Sequence, residues 1–325
     1  MKSNIIEATF LGLAVGDALG VPVEFRSRKE LQANPVKDMR EYGTHNQPKG
    51  TWSDDSSLTF CLAESLCKEL EINLIDISKN FINWLDYGFW TPHGKVFDIG
   101  IQTRQSIYQL AKIINSKEYS DLELLKYSND EYTNGNGSLM RIIPLLFHIK
   151  DFEINKQFET IWFVSSLTHP HIRSAIACFI YLQFAKNIIE GNTLIGAYRK
   201  MQKKVNTFFD EKELSSYEKQ HFSRVLNNNI TTLRENEIKS GGYVIDTLEA
   251  SLWCLMTSSG YKETVLKAVN LGDDTDTTAT VAGAIAGLYY GMEAIPKEWV
   301  EVLARKNDII SLSKKFAKKY GYEKQ

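Results

Sequence analysis

The sequence predicts an all-α fold in one domain, residues 1–325, and three observations carry that prediction. Apolar residues recur at helical spacing, as at Leu58, Cys61, Leu62 and Leu66 and again at Ile176, Phe179, Ile180 and Phe184, while strand-like alternation is scarce. Turn chemistry falls between such segments, at NPVKD, NQPKG, TPHGK, NDEYTNGNGS and SSG, and marks off roughly ten helices. With 43% hydrophobic and 24% charged residues among 325, the chain can bury a substantial core, and neither collagen-like nor disordered composition fits.

The same composition narrows the function classes. Lys and Arg number 38 against 40 Asp and Glu, so no global basic field attracts nucleic acid or an anionic membrane surface. The four cysteines, Cys61, Cys67, Cys178 and Cys254, lie in apolar helical contexts without C-x-x-C spacing and read as core thiols of a reducing compartment. The run Phe10 to Val15 is short and flanked by Glu7 and Asp17, a poor signal peptide. Thr277 to Met292 falls short of the roughly 18 to 20 residues that a bilayer span needs. A soluble, cytoplasmic, monomeric protein is expected, with no internal repeat and no low-complexity linker.

Along the chain, the first helix carries Ala8, Gly12, Gly16 and Gly20, one small residue in every four, and ATVAGAIAG repeats the stripe at Ala279, Gly283 and Gly287. Glycine inside a helix costs about 1 kcal/mol relative to alanine, so two such stripes call for close backbone packing as compensation. In GTWSDDSSLTFCLAESL, Ser53 is a good N-cap and Asp54 and Asp55 fall in the first turn, where the helix dipole favours negative charge. Capping alone explains that cluster. Asp98 in VFDIG is a lone acid among apolar neighbours, suited to a guanidinium partner or to an N-cap.

TNGNGSLMRIIPL places Gly135, Gly137 and Ser138 in a loop that opens into the apolar run Leu139 to Phe147, broken only by Arg141. Glycine-rich backbone at a helix N-terminus offers N–H groups to phosphate, and an ordinary turn capped by Ser138 fits as well. His169 and His171 in LTHPH lack a third ligand, so they form no zinc signature. Residues 203–240 are the most polar stretch and read as solvated helix and loop. Tyr243 follows two glycines, free to stack on a planar ring or to sit in the core.

GDDTDTTATVAGAIAGLYYG sets Asp273, Asp274 and Asp276 against the least polar segment of the chain, with no basic residue between Asn270 and Met292. Three charges exceed what capping needs, and buried carboxylates must be paired or bind cations. A hard divalent cation, or two, shared with the Ser53–Asp55 cluster resolves the repulsion, and Asp oxygens with Ser and Thr hydroxyls suit Mg²⁺ or Mn²⁺. A phosphatase D-x-D-x-T needs a preceding strand, and an EF-hand needs Gly and Glu where Ala279 and Ile285 stand.

In this order, GDALGVPVEF, GTWSDDSSLTFCLAESL, FDIG, NGNGSLMR, THPH, GYVIDTLEASLW and GDDTDTTATVAGAIAGLYYG resemble the ADP-ribosylglycohydrolase family, from about Gly16 to Gly291. The resemblance implies an all-α fold around a binuclear Mg²⁺ or Mn²⁺ centre, in enzymes that remove ADP-ribose from modified protein side chains. It places metal ligands at Ser53, Asp54, Asp55, Asp274, Asp276 and Thr277, and a diphosphate loop at Gly135, Asn136, Gly137 and Ser138. His169 matches the family's site histidine, and Tyr243 the tyrosine suited to adenine in the arginine-directed branch. Glu24 and Asp98 match substrate-facing carboxylates. The cations would hold the distal ribose hydroxyls and a water, with Asp55 or Glu24 as general base and Asp98 on a guanidinium leaving group. Arginine-linked ADP-ribose is the expected substrate. Serine-linked or O-acetyl-ADP-ribose and a non-catalytic member are the alternatives. Asp273 stands where many relatives have glycine and is expected to support the ligands from behind, and residues 195–240 match nothing.

Overall fold

The computed structural model describes residues 4–127 and 130–322. Eleven helices of ten residues or more form among them: α1 (Ile5–Gly20), α2 (Asp54–Lys68), α3 (Leu74–Tyr87), α4 (Ile101–Ser116), α5 (Ile154–Ser166), α6 (Ile172–Ile189), α7 (Leu194–Glu211), α8 (Val244–Met256), α9 (Tyr261–Asn270), α10 (Thr275–Tyr290) and α11 (Lys306–Tyr320). Among the described residues no strand forms; Tyr42–Gln47 and Gly135–Tyr243 make isolated antiparallel bridges.

The glycine stripes meet. α1 and α10 share the most extensive helix contact in the molecule, and α2, α6, α8 and α9 also pack on α10. A Cβ added at Gly12 would lie 2.7 Å from the Gly283 carbonyl oxygen, and one at Gly283 would crowd the Gly12 carbonyl still more closely. Gly20 sits against the backbone of Thr275 and Asp276, so the stripe sets how near α1 comes to the first turn of α10. Gly283→Leu is expected to lower thermal stability by on the order of 3 kcal/mol through overpacking; an unchanged melting temperature would refute the backbone contact.

Both central helices are buried nearly all round. Every α1 residue except Glu7 is buried, as is α10 from Thr275 through Leu288. Two segments, Ile5–Val23 and Ile172–Ile189, are long and apolar enough to cross a membrane, but 94% and 83% of them lie inside the protein. They are core helices, and the N-terminal one extends beyond the short run that the sequence suggested.

One local expectation fails. No long helix starts at Ser138: Asn136–Ser138 form a single 3-10 turn, and only Leu145–Ile149 turn helical in the apolar run that follows. Pro144 is one reason, since it lacks the N–H that a continuing helix would use. The other is Arg141, fully buried, whose guanidinium bonds the carbonyls of Gly137 and Val164 and stacks 5.1 Å from the Phe81 ring.

Candidate metal centre

Three chain segments bring carboxylates to one place. Asp17 comes from the last turn of α1, Ser53, Asp54 and Asp55 from the start of α2, and Asp274 and Asp276 from the start of α10. Carboxylate oxygens of Asp17, Asp55 and Asp276 lie within 4.8 Å of one another, and so do those of Glu24, Asp274 and Asp276. Asp276 therefore belongs to two adjoining groups of three acids. Asp54 belongs to neither, although it is buried beside them.

Asp17 was not singled out from sequence, yet it positions the whole start of α2. Fully buried, it accepts from the Ser53 N–H at 2.9 Å, the Ser56 N–H at 3.0 Å and the Ser56 hydroxyl at 2.6 Å. Its carboxylate thus satisfies backbone donors that a helix N-terminus leaves open. The signal was present: a lone acid inside a helix of small apolar residues is too costly to bury without a task. Ser53 caps α2 as expected, accepting from the Asp55 N–H and donating to Asp55 Oδ2, both at 3.2 Å.

Asp98 sits in the loop before α4 and does not cap it, since Gly100 is the cap residue. It groups instead with Glu24 and His45, their side-chain atoms within 4.8 Å of one another. His45, also missed from sequence, hydrogen-bonds Glu24 through Nε2 and lies between the rings of Phe25 and Phe97, at 6.0 and 5.4 Å. The turn that carries it packs through Gly43, at φ +52°, onto Pro22, a contact that no Cβ could share.

Asp273 departs from its expectation. Its side chain is exposed, and its backbone adopts φ 59°, the left-handed region where glycine is unstrained. There its carbonyl accepts from the Phe25 N–H at 2.7 Å and its N–H donates to the Arg26 carbonyl at 2.8 Å. The backbone, not the carboxylate, clasps the Glu24 loop to the start of α10.

The glycine loop joins the acids through Asn136, whose Nδ2 donates to Asp274 Oδ2 at 2.8 Å and to the Thr247 hydroxyl at 2.9 Å. His169 packs behind the loop: a Cβ at Gly137 would lie 2.6 Å from its ring and one at Gly135 3.1 Å. Its Nδ1 pairs with the Thr168 hydroxyl at 2.9 Å, and burial, with the charge of Arg141, pulls its pKa down to about 3. It is a neutral imidazole at physiological pH. The Ser138 hydroxyl turns inward to the Cys178 sulfur at 3.6 Å, so Ser138 offers the loop only its backbone. Tyr243 lies half-buried alongside, paired by its backbone with Gly135.

Among the described residues, no lysine or arginine forms an ion pair with Asp17, Glu24, Asp54, Asp55, Asp98, Asp274 or Asp276, and the basic side chain that bonds one of them is His45, on Glu24. Burial, and after it the neighbouring carboxylates, push Asp54, Asp55 and Asp276 well above the ordinary carboxylate range. Burial raises Asp17 to about 6 and Glu24 to about 7, the latter against the opposing His45 bond. Asp55 Oδ1 and Asp274 Oδ1 are buried with no partner. Unpartnered oxygens in a field of like charge fit divalent cations, and the set of carboxylates with Ser and Thr hydroxyls is that of a hard ion. These clusters could hold metal ions.

Fold and site together define an all-helical protein built around a carboxylate centre suited to cations. The ADP-ribosylglycohydrolase family model matches residues 3–325. The ADP-ribosylarginine hydrolase Tri1 of Serratia proteamaculans (strain 568) is 32% identical over 312 residues, 94% of this chain and 77% of that protein. The ADP-ribosyl-[dinitrogen reductase] glycohydrolase of Rhodospirillum rubrum is 27% identical over 312 residues, covering 91% and 89%. A solved ADP-ribosylglycohydrolase-related protein complex superposes with a TM-score of 0.74 at 27% identity, covering 98% of this chain and 99% of the other. The chain belongs to the ADP-ribosylglycohydrolase family.

Proposed function

We propose that this protein hydrolyses the N-glycosidic bond between ADP-ribose and an arginine side chain, with Mg²⁺ or Mn²⁺ held by Ser53, Asp54, Asp55, Asp274, Asp276 and Thr277. The observation that carries the reading is Asp98, a carboxylate at the edge of the acidic centre, grouped with Glu24 and His45 and paired with no lysine or arginine among the described residues. A planar cation arriving with the substrate would complete it, as a guanidinium does. The arginine hydrolase activity for which the Serratia relative is named supports the same reading.

Divalent cations bound there would supply Lewis acidity and a water more readily deprotonated than in bulk. Asp55 or Glu24 would take the proton of the attacking water as the water oxygen joins the anomeric carbon. The C–N bond breaks with its electron pair going to the guanidine nitrogen, and the proton released ends on the arginine. Asn136 holds Asp274 in place, and the Gly135–Gly137 backbone faces the diphosphate.

One observation favours the alternative, serine-linked ADP-ribose. In the metal-free protein Glu24 is raised to about 7 and could hold a proton near neutrality, and a seryl oxygen needs one to leave whereas a guanidine does not. Asp98→Asn separates the two. It is expected to lower kcat/KM on arginine-linked conjugates about 100-fold and to spare serine-linked ones. Equal activity of the variant on both conjugates would rule out the arginine assignment.

A further inference from the structure

The polar stretch that matched nothing in sequence supplies one half of a buried ion pair that reaches Tyr243, the residue that the family resemblance suits to adenine. Arg173, in the first turn of α6 and 5% exposed, sends Nε and Nη2 to the two carboxylate oxygens of Glu218 at 2.9 and 2.8 Å. Glu218 lies in the short helix Ser216–His221. A two-bond fork fixes the plane of the guanidinium as well as its place. Its third nitrogen, Nη1, donates to the Tyr243 hydroxyl at 3.4 Å.

Tyr243 is tethered at its other end by backbone. The Val244 N–H donates to the Asn134 carbonyl and the Asn136 N–H to the Gly242 carbonyl, both at 3.0 Å. The ring is thus held at its hydroxyl by Arg173 and at its Cα by the glycine loop. Glu131, 3.7 Å from Nη2, and the Tyr217 ring, 5.9 Å from Cζ, also flank the guanidinium, and His171 groups with Glu131 and Glu218. A buried ion pair adds little net stability, since desolvation offsets the attraction. Orientation is what this one contributes.

We infer that Arg173 and Glu218 are positioning residues, which lock the Tyr243 ring in the orientation that stacks on the adenine of the substrate. The inference rests on the functional reading above and adds to it a role for the 203–240 segment. Neither residue touches the reacting atoms, so both act on binding rather than on chemistry.

The test measures binding of ADP-ribose and of ribose 5-phosphate, which lacks adenine, to the Mg²⁺-loaded wild type, Glu218→Gln and Tyr243→Phe, beside kinetics on ADP-ribosylarginine. Glu218→Gln is expected to weaken ADP-ribose about tenfold and to raise KM by a similar factor at nearly constant kcat. Tyr243→Phe, which keeps the ring and the ion pair, is expected to weaken ADP-ribose about threefold. Ribose 5-phosphate binding should not change in either. Equal losses for both ligands, or a fall in kcat and melting temperature without a change in KM, would mean a merely structural pair and overturn the inference. So would ADP-ribose binding left intact by both variants. Wild-type protein that binds no ADP-ribose would overturn the functional reading itself, and the inference with it.

Discussion

Asp276→Asn is expected to abolish metal-dependent release of ADP-ribose while raising the melting temperature of the metal-free protein. The two effects have one cause. Asp276 is 1% exposed and stands in both groups of three acids, so its negative charge is unfavourable until a cation shares it. Asparagine keeps the oxygen that accepts from the Thr277 N–H at 2.9 Å and removes the charge. Relief of repulsion among buried like charges should stabilise the apo protein by about 1–3 kcal/mol. The loss of a shared ligand should lower kcat/KM at least about 1000-fold, since cation contributions to transition-state stabilisation amount to several kcal/mol. Thermal melts with and without chelator, beside a release assay, read both. Full activity, or an apo protein made less stable, would dismantle the metal assignment at this position.

Metal-free protein is expected to lose stability as pH rises from about 6.5 to about 8, and added Mg²⁺ or Mn²⁺ to restore it. Asp17 moves from 3.8 unfolded to about 6 folded, and Glu24 from 4.5 to about 7. A carboxyl whose folded value is the higher one stabilises the fold fully below its unfolded value and loses that contribution as pH climbs through the folded one. Asp54, Asp55 and Asp276 are pushed up in the same direction. His169 opposes them, falling from 6.5 to about 3, but its contribution is complete above 6.5 and declines only below it. By pH 6.5 the Asp17 contribution has largely gone, so the window above 6.5 isolates Glu24 together with the three acids pushed up further. Stability should fall by on the order of 1 kcal/mol for each carboxyl that ionises there. Apo melting temperatures that hold level or rise across this range would contradict the like-charge field.

The two acidic clusters differ in how far local structure accounts for them. Ser53, Asp54 and Asp55 could be accounted for by a capped helix start alone, and Ser53 does cap α2, with the two acids in its first turn. Asp274 and Asp276 could not, because they open a helix buried on every side with no basic neighbour in the chain. That imbalance was legible one residue at a time, and so was the close packing of α1 on α10, because glycines spaced by four inside helices have a stability cost only backbone contact offsets.

The burial of Asp17 was signalled but its partner was not, and neither His45 nor the Arg173–Glu218 pair was legible. Each gains its meaning from a partner far along the chain: Ser53 for Asp17, Glu24 for His45, Tyr243 for Arg173. A periodic pattern records which face of a helix is buried but not which distant residue meets it. Asp273 shows the same limit from the other side, since its charge suggested a supporting carboxylate and its left-handed backbone turned out to carry the contact.

The sequence by itself determined the helical class, the buried central pair and the acids that must be neutralised, since spacing and local charge state these directly. Only the tertiary structure decided that Asp276 is common to two groups of acids, that Ser138 turns inward and that Arg173, paired with Glu218, bonds the Tyr243 hydroxyl. Those are relations in space among residues remote in sequence, set by how the helices pack and by where each buried polar atom finds its partner.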